Sequence, residues 1–359
     1  MSKSIKWVIT IVIIIIIAGV WYFAQKPHVS PPVSNTIKIG VVAPLTGGGA
    51  MVGQNAVNAI ELAKADLKNA KNNYEIIVED DQTDPAKSAS AVEKLINIDK
   101  VNALISVTSG TSNAVAPISE KAGILHIGIC SDNKVSDNKT SFIIYVTPEN
   151  EAKTWVAEAK KRGVTKVAMI TMAQAGIDAM AEALKKEAKA NGLQIVFAER
   201  FNKEVNDFKT TLLKAEQTKP DIYYLVSFPP AIDIVGKQFK ELGLKTPLSG
   251  DVLDLSKDLK IFEGDWYANS KLADPNFADR LSAKYPNTLF SVRSAPYSYD
   301  AFNLLVNAFE KGSTTPADYV ANQSSFSGVS GQLTKDADGF FQSEDAVWTI
   351  KNSVPVQAN

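Results

Sequence analysis

The stretch Thr108-Ser109-Gly110-Thr111-Ser112-Asn113 is where this sequence looks most able to do chemistry. It stands between a β-like run, VNALISV, and a helix-like run, AVAPISEKAG. Hydroxyls and unpaired backbone N–H groups at a helix start suit a nucleophile's loop, an anion cradle, or a plain capped turn. The partners needed for catalysis are scarce. Only two histidines occur: His28 in a proline-rich stretch and His126 inside GILHIGIC. Cys130 is the single cysteine, so no internal disulfide is possible. Four residues along a strand span about 13 Å, which keeps His126 and Cys130 from sharing a hydrogen bond. His126 therefore reads as structural, and no G-x-S-x-G elbow supports a Ser-His-Asp triad.

The glycines of APLTGGGAMVGQNA do not make a dinucleotide fingerprint. Counted from Gly47, Gly49 fits, but Val52 holds the third glycine's place. No P-loop pattern is present, and Cys/His spacings for zinc are absent. Glu79-Asp80-Asp81 reads as a solvated strand end rather than a metal site. The sequence thus argues for no catalytic residue, no metal and no cofactor.

The elements that position these residues alternate. Apolar strands such as IKIGVVA, YEIIVED, VNALISV, GILHIGI and SFIIYV are separated by amphipathic helices, and a second set follows with KVAMIT, LQIVFAER and DIYYLVS. Asp84-Pro85 starts one helix as N-cap and first helical residue, and Gly192 closes another. Ala301, Leu304, Leu305 and Ala308 form the inward stripe of a late helix. This alternation predicts α/β architecture: two doubly wound lobes with mainly parallel sheets, and a ligand crevice at the strand C-termini.

The N-terminus predicts an export route. Residues 1–6 form a short stub, and WVITIVIIIIIAGVWYFA, residues 7–24, carries no charge. As a helix it spans roughly 27 Å, enough for a bilayer core. Lys3 and Lys6 precede it, which keeps the start cytoplasmic. The segment is expected to be an uncleaved anchor rather than a cleaved signal, with residues 25–36 as an extended linker and the rest outside the cytoplasm. With 38 basic against 39 acidic residues and a net charge of −1, no basic field exists to draw nucleic acid.

Four segments resemble the type I periplasmic solute-binding proteins of ABC transporters, in the leucine/isoleucine/valine-binding group. They are IKIGVVAPLTGGGAMVGQNAVNAIELA, EDDQTDPAKSASAVEKLI, NDFKTTLLKAEQTKPDIYYLV and YSYDAFNLLVNAFEKG. The resemblance implies two lobes joined by a three-strand hinge, residues 37–147 with 271–330 and residues 148–270 with 331–359, closing on a small ligand such as an amino acid. It implies an ABC permease as partner, no enzymatic activity, and a monomer. It places the ligand's carboxylate at Ser109, Gly110 and Thr111, and a second wall at Cys130, Ser131 and Asp132. In the other lobe it implies Phe228 on the ligand body and Asp251 on the amine. Two departures are visible. Asp132 stands where Ser or Thr is commoner, and MAQAGID replaces a segment that often carries Tyr-Gly. A sensor domain on the same fold is the alternative, and an α/β enzyme a weaker one.

Overall fold

The computed structural model describes Trp7, residues 35–286, 290–312 and 315–358. Apart from Trp7, the expected anchor and most of the linker lie outside the described residues. No helix among the described residues is long and apolar enough to cross a membrane.

The chain builds two sheets. The first contains β1 (Thr36–Ala43), β2 (Asn73–Asp80), β3 (Ala103–Val107), β4 (Leu125–Ile129) and β5 (Ser141–Tyr145), joined by β11 (Ser325–Gly328), β12 (Gly331–Lys335) and β13 (Phe340–Gln342). Its order is β11-β12-β13-β5-β4-β3-β1-β2. The second contains β6 (Lys166–Met172), β7 (Gln194–Phe201), β8 (Ile222–Val226), β9 (Leu248–Gly250), β10 (Trp266–Ser270), β14 (Asp345–Lys351) and β15 (Val354–Gln357), in the order β15-β14-β10-β9-β8-β6-β7. From β2 to β13, and from β7 to β10, neighbouring strands run parallel. Their interiors are apolar because helices cover both faces. The helices are α1 (Ala50–Asp66), α2 (Pro85–Asn97), α3 (Ser109–Ala122), α4 (Pro148–Lys161), α5 (Ala175–Ala190), α6 (Lys209–Gln217), α7 (Ala231–Glu241), α8 (Phe277–Lys284), α9 (Ala295–Lys311) and α10 (Pro316–Ala321).

The chain passes between the sheets three times: after β5, after β10, and between β13 and β14. One expected boundary moves. Residues 331–342, expected in the second lobe, pair with the first sheet, where β13 lies parallel to β5 with Phe341 opposite Ile144. Phe340, Phe341 and Leu333 are buried in that sheet's core, which is why the strands stay there. The return to the second sheet falls at residues 343–344, and Asp345 opens β14 opposite Ser270.

Local chemistry sets the helix starts as the sequence suggests. Asp84 accepts from Ala86 and Lys87 N–H ahead of Pro85. His126 is fully buried, with Nε2 2.6 Å from Ser106 Oγ and Nδ1 3.1 Å from Ser141 Oγ. Burial pushes its pKa down to about 3, so it is a neutral core residue held by two hydroxyls.

Candidate functional site

The C-terminal ends of the central strands of both sheets face a half-open cavity of about 50 Å³. The first sheet's side contributes Thr108 and Ser109 after β3, and Ile129, Cys130 and Ser131 at the end of β4. The second contributes Gly176, Ile177 and Met180 from α5, with Phe228 and Val252 from the loops after β8 and β9. Tyr145 and Arg293 form another part of the wall.

The anion-suited end is built at the start of α3. Thr108 is the N-cap, and its backbone is held at φ 81°, ψ 149°. That conformation strains a residue with a Cβ by on the order of 1–3 kcal/mol. Its hydroxyl lies 3.0 Å from Thr111 Oγ1. Ser109 Oγ accepts the N–H of Ser131 at 3.1 Å, tying the β3 and β4 loops together. The first-turn N–H groups of a helix have no intrahelical acceptor and carry partial positive charge, so this corner favours an oxyanion.

The residues picked out from the sequence divide into three groups. Ser109, Cys130, Ser131 and Phe228 line the cavity. Gly110 lines an adjoining open groove of about 830 Å³, together with Gly47, Gly48 and Gly49 of the triglycine turn, and Phe228 borders both spaces. Thr111, Asp132 and Asp251 are not on the cavity wall, and each is engaged by a neighbour, although Asp251 Oδ1 has no partner among the described residues. The Thr111 hydroxyl donates to Asp81, which also accepts from Ser88 at 2.7 Å. Asp132 caps the short turn Asn133–Val135 and accepts from Asn113 Nδ2 at 2.9 Å. Asp251 is buried and takes the hydroxyl of Tyr224. The cavity wall therefore carries hydroxyls, apolar side chains, the Cys130 thiol, the Gln174 carboxamide and one guanidinium, but no carboxylate. The Cys130 thiol is pushed up to about 12 by burial and is no nucleophile at neutral pH.

Sequence reasoning missed Arg293. It lies in FSVRSAP, just upstream of the YSYDAF segment, and a lone basic residue in so apolar a run was the available signal. The side chain is 6% exposed. Its Nη2 donates to the Asp251 carbonyl at 2.6 Å and forms an ion pair with Glu151, while Nη1 lies 3.3 Å from Tyr145 Oη. Neither Glu151 oxygen accepts a well-aligned hydrogen bond, so the contact is an ion pair rather than a fork. Asp251, Asp254 and Asp345 complete the group. Burial raises the carboxyl pKa of Glu151, Asp251 and Asp345, Arg293 opposes the rise, and Glu151 adds repulsion at the other two. Among the described residues, no group of three or more His, Cys, Asp or Glu side chains is arranged to hold a metal ion.

These buried acids set a pH dependence. Burial raises Asp254 to about 6, and Asp265, just before β10, to about 7. A carboxyl with a raised folded-state pKa stabilises fully below its unfolded value. It loses that contribution as pH climbs through the raised one. The melting temperature is thus expected to fall between pH 5 and pH 8, by roughly 5 °C or more. Asp265→Asn should flatten part of that fall, and a melting temperature that rises over the interval would contradict the assignment.

Comparison with known proteins agrees with this architecture. The sequence model of the family described as periplasmic binding protein matches residues 36–347. A protein named Leu/Ile/Val-binding protein homolog 2, from Brucella abortus (strain 2308), is 27% identical over 326 residues, covering 84% of this chain and 87% of its own. A leucine-binding protein of Thermotoga maritima superposes with TM-score 0.82 at 21% identity, covering 90% of this chain and 98% of that one. A solute-binding protein of an ABC transporter from R. palustris, crystallised with benzoate, gives 0.81 at 19% identity, covering 90% and 96%.

Proposed function

This chain belongs to the periplasmic binding protein family, and from that premise we propose that it is the extracytoplasmic solute-binding component of an ABC transporter. It traps a small organic carboxylate between its two lobes and passes it to a membrane permease. In this reading the anchor at residues 7–24 holds the protein, as a monomer, at the membrane's outer face.

The observation that carries the ligand class is the cavity wall. Ser109, Ser131 and the start of α3 suit a carboxylate, and Ile129, Ile177, Met180, Phe228 and Val252 suit a compact apolar body. No acid lines the wall to take an ammonium group. This favours an aromatic or aliphatic carboxylate, of the kind crystallised with the R. palustris neighbour, over a zwitterion. The second reading, a branched-chain amino acid, is favoured by the name of the Brucella relative. Closure of the two lobes around the ligand is the motion this architecture offers for trapping it.

A thermal-shift panel of benzoate, leucine and glucose separates the readings. Benzoate is expected to raise the melting temperature by several degrees at millimolar concentration, through preferential binding to the folded state. A shift with leucine alone would favour the amino acid. A shift with glucose alone would remove the carboxylate reading altogether.

A further inference from the structure

We propose that Arg293 is a specificity-determining residue, selecting ligands that carry a second hydrogen-bond acceptor at the end remote from the carboxylate. The inference rests on the carboxylate reading given above.

The cavity has two distinguishable ends. One adjoins the outer groove, because Gln174 and Phe228 border both spaces and Gly176 approaches Ser109 there. The other lies toward the hinge. Tyr145 ends β5 directly before the first crossing, and Arg293 reaches Glu151 in the first turn of α4 directly after it. A carboxylate at Ser109 leaves the ligand's opposite end facing Tyr145 and Arg293.

The guanidinium is fixed in place there. The backbone around it is held to α1, where Ser291 N–H donates to Asn55 Oδ1 at 3.0 Å and Ser294 Oγ donates to the Val52 carbonyl at 2.7 Å. The Nη2 group is committed to Asp251 and Glu151, and Nη1 to Tyr145. One Nη1 hydrogen and Nε–H remain, and Nε is buried with no hydrogen-bond partner among the described residues. A buried donor on a charged group without an acceptor is costly, and an acceptor that satisfies it gains correspondingly. A hydroxyl or carbonyl on the far end of the ligand supplies that acceptor, with the acids behind Arg293 keeping the guanidinium charged. Such a ligand also joins a first-lobe side chain that already grips second-lobe groups.

Titration calorimetry with benzoate and 4-hydroxybenzoate tests this. The wild-type protein should bind 4-hydroxybenzoate about tenfold or more tightly than benzoate. Arg293→Lys, which keeps the charge but lacks Nε–H, should bring the two affinities within about threefold. The double variant Arg293→Met, Glu151→Gln removes both members of the closest buried pair and should do the same, with circular dichroism confirming that each variant is folded. The ratio is the informative readout, since a purely structural role weakens both ligands alike. Equal wild-type affinities, or a preference that survives both variants, overturn the inference while leaving the carboxylate reading standing. If the wild type binds neither compound, the carboxylate reading falls and this inference falls with it.

Discussion

Replacing Gly176 with valine is expected to weaken ligand binding at least about a hundredfold while leaving the unliganded protein folded. Gly176 stands in the first turn of α5, where the second lobe meets the first. A Cβ at this position would lie 2.7 Å from Ser109 Oγ and 3.1 Å from Gln174 Oε1. A β-branched side chain therefore occupies both the contact between the lobes and the corner assigned to the carboxylate. Ser109 could rotate away from a single methyl, but it would then give up the Ser131 N–H, so alanine should cost less than valine. Overpacking of a core costs about 1–3 kcal/mol. Here the open lobes relieve the clash, so the cost appears in closure and binding rather than in the melting temperature. Scattering should show a larger radius of gyration for Gly176→Val than for the wild type at saturating ligand. Unchanged affinity would mean that the lobes do not close at this contact.

Trp155→Ala is expected to carry the largest stability cost, about 3–5 kcal/mol. Trp155 is fully buried, stacks on Trp266 at 5.5 Å between ring centroids, and meets Tyr224 edge-on at 5.3 Å. Its Nε1 donates to Ser249 Oγ at 2.8 Å, so truncation also leaves that hydroxyl without its partner. The residue sits one turn beyond Glu151 on α4, the helix that begins at the first crossing. Its loss should therefore loosen the acid that faces Arg293 as well as the core of the second lobe. Urea unfolding provides the measurement, and a loss under 1 kcal/mol would show that the lobe repacks around the gap.

Much of the framework was legible because it is local. The apolar strands, the Asp84-Pro85 start of α2 and the buried stripe of α9 all follow from patterns within a dozen residues. That the stretch before α3 is a turn was legible for the same reason, though which residue caps the helix was not. The lobe boundary was not. The strands β12 and β13 are short, and only their tertiary partner β5 decides which sheet they join. The same limit divides the site. Ser109, Cys130, Ser131 and Phe228 sit at strand ends, where the architecture places ligand-facing residues, and they line the cavity. The acids Asp132 and Asp251 looked equally available in sequence, but Asp132 is engaged by Asn113, and Asp251, held by Tyr224 through one oxygen, lies off the cavity wall. Arg293 belongs to the wall only because its segment folds back beside α1 and across the hinge. No spacing rule connects it to Glu151.

The central claim is that the start of α3 holds the carboxylate of a small solute between the lobes. Calorimetric titration of benzoate and benzamide into the wild type and Ser109→Ala tests it most directly. One site per chain is expected for benzoate, with the neutral amide bound at least about tenfold more weakly. Ser109→Ala should weaken benzoate roughly ten- to a hundredfold and benzamide much less. Equal binding of acid and amide by the wild type, unaffected by Ser109→Ala, would contradict the account.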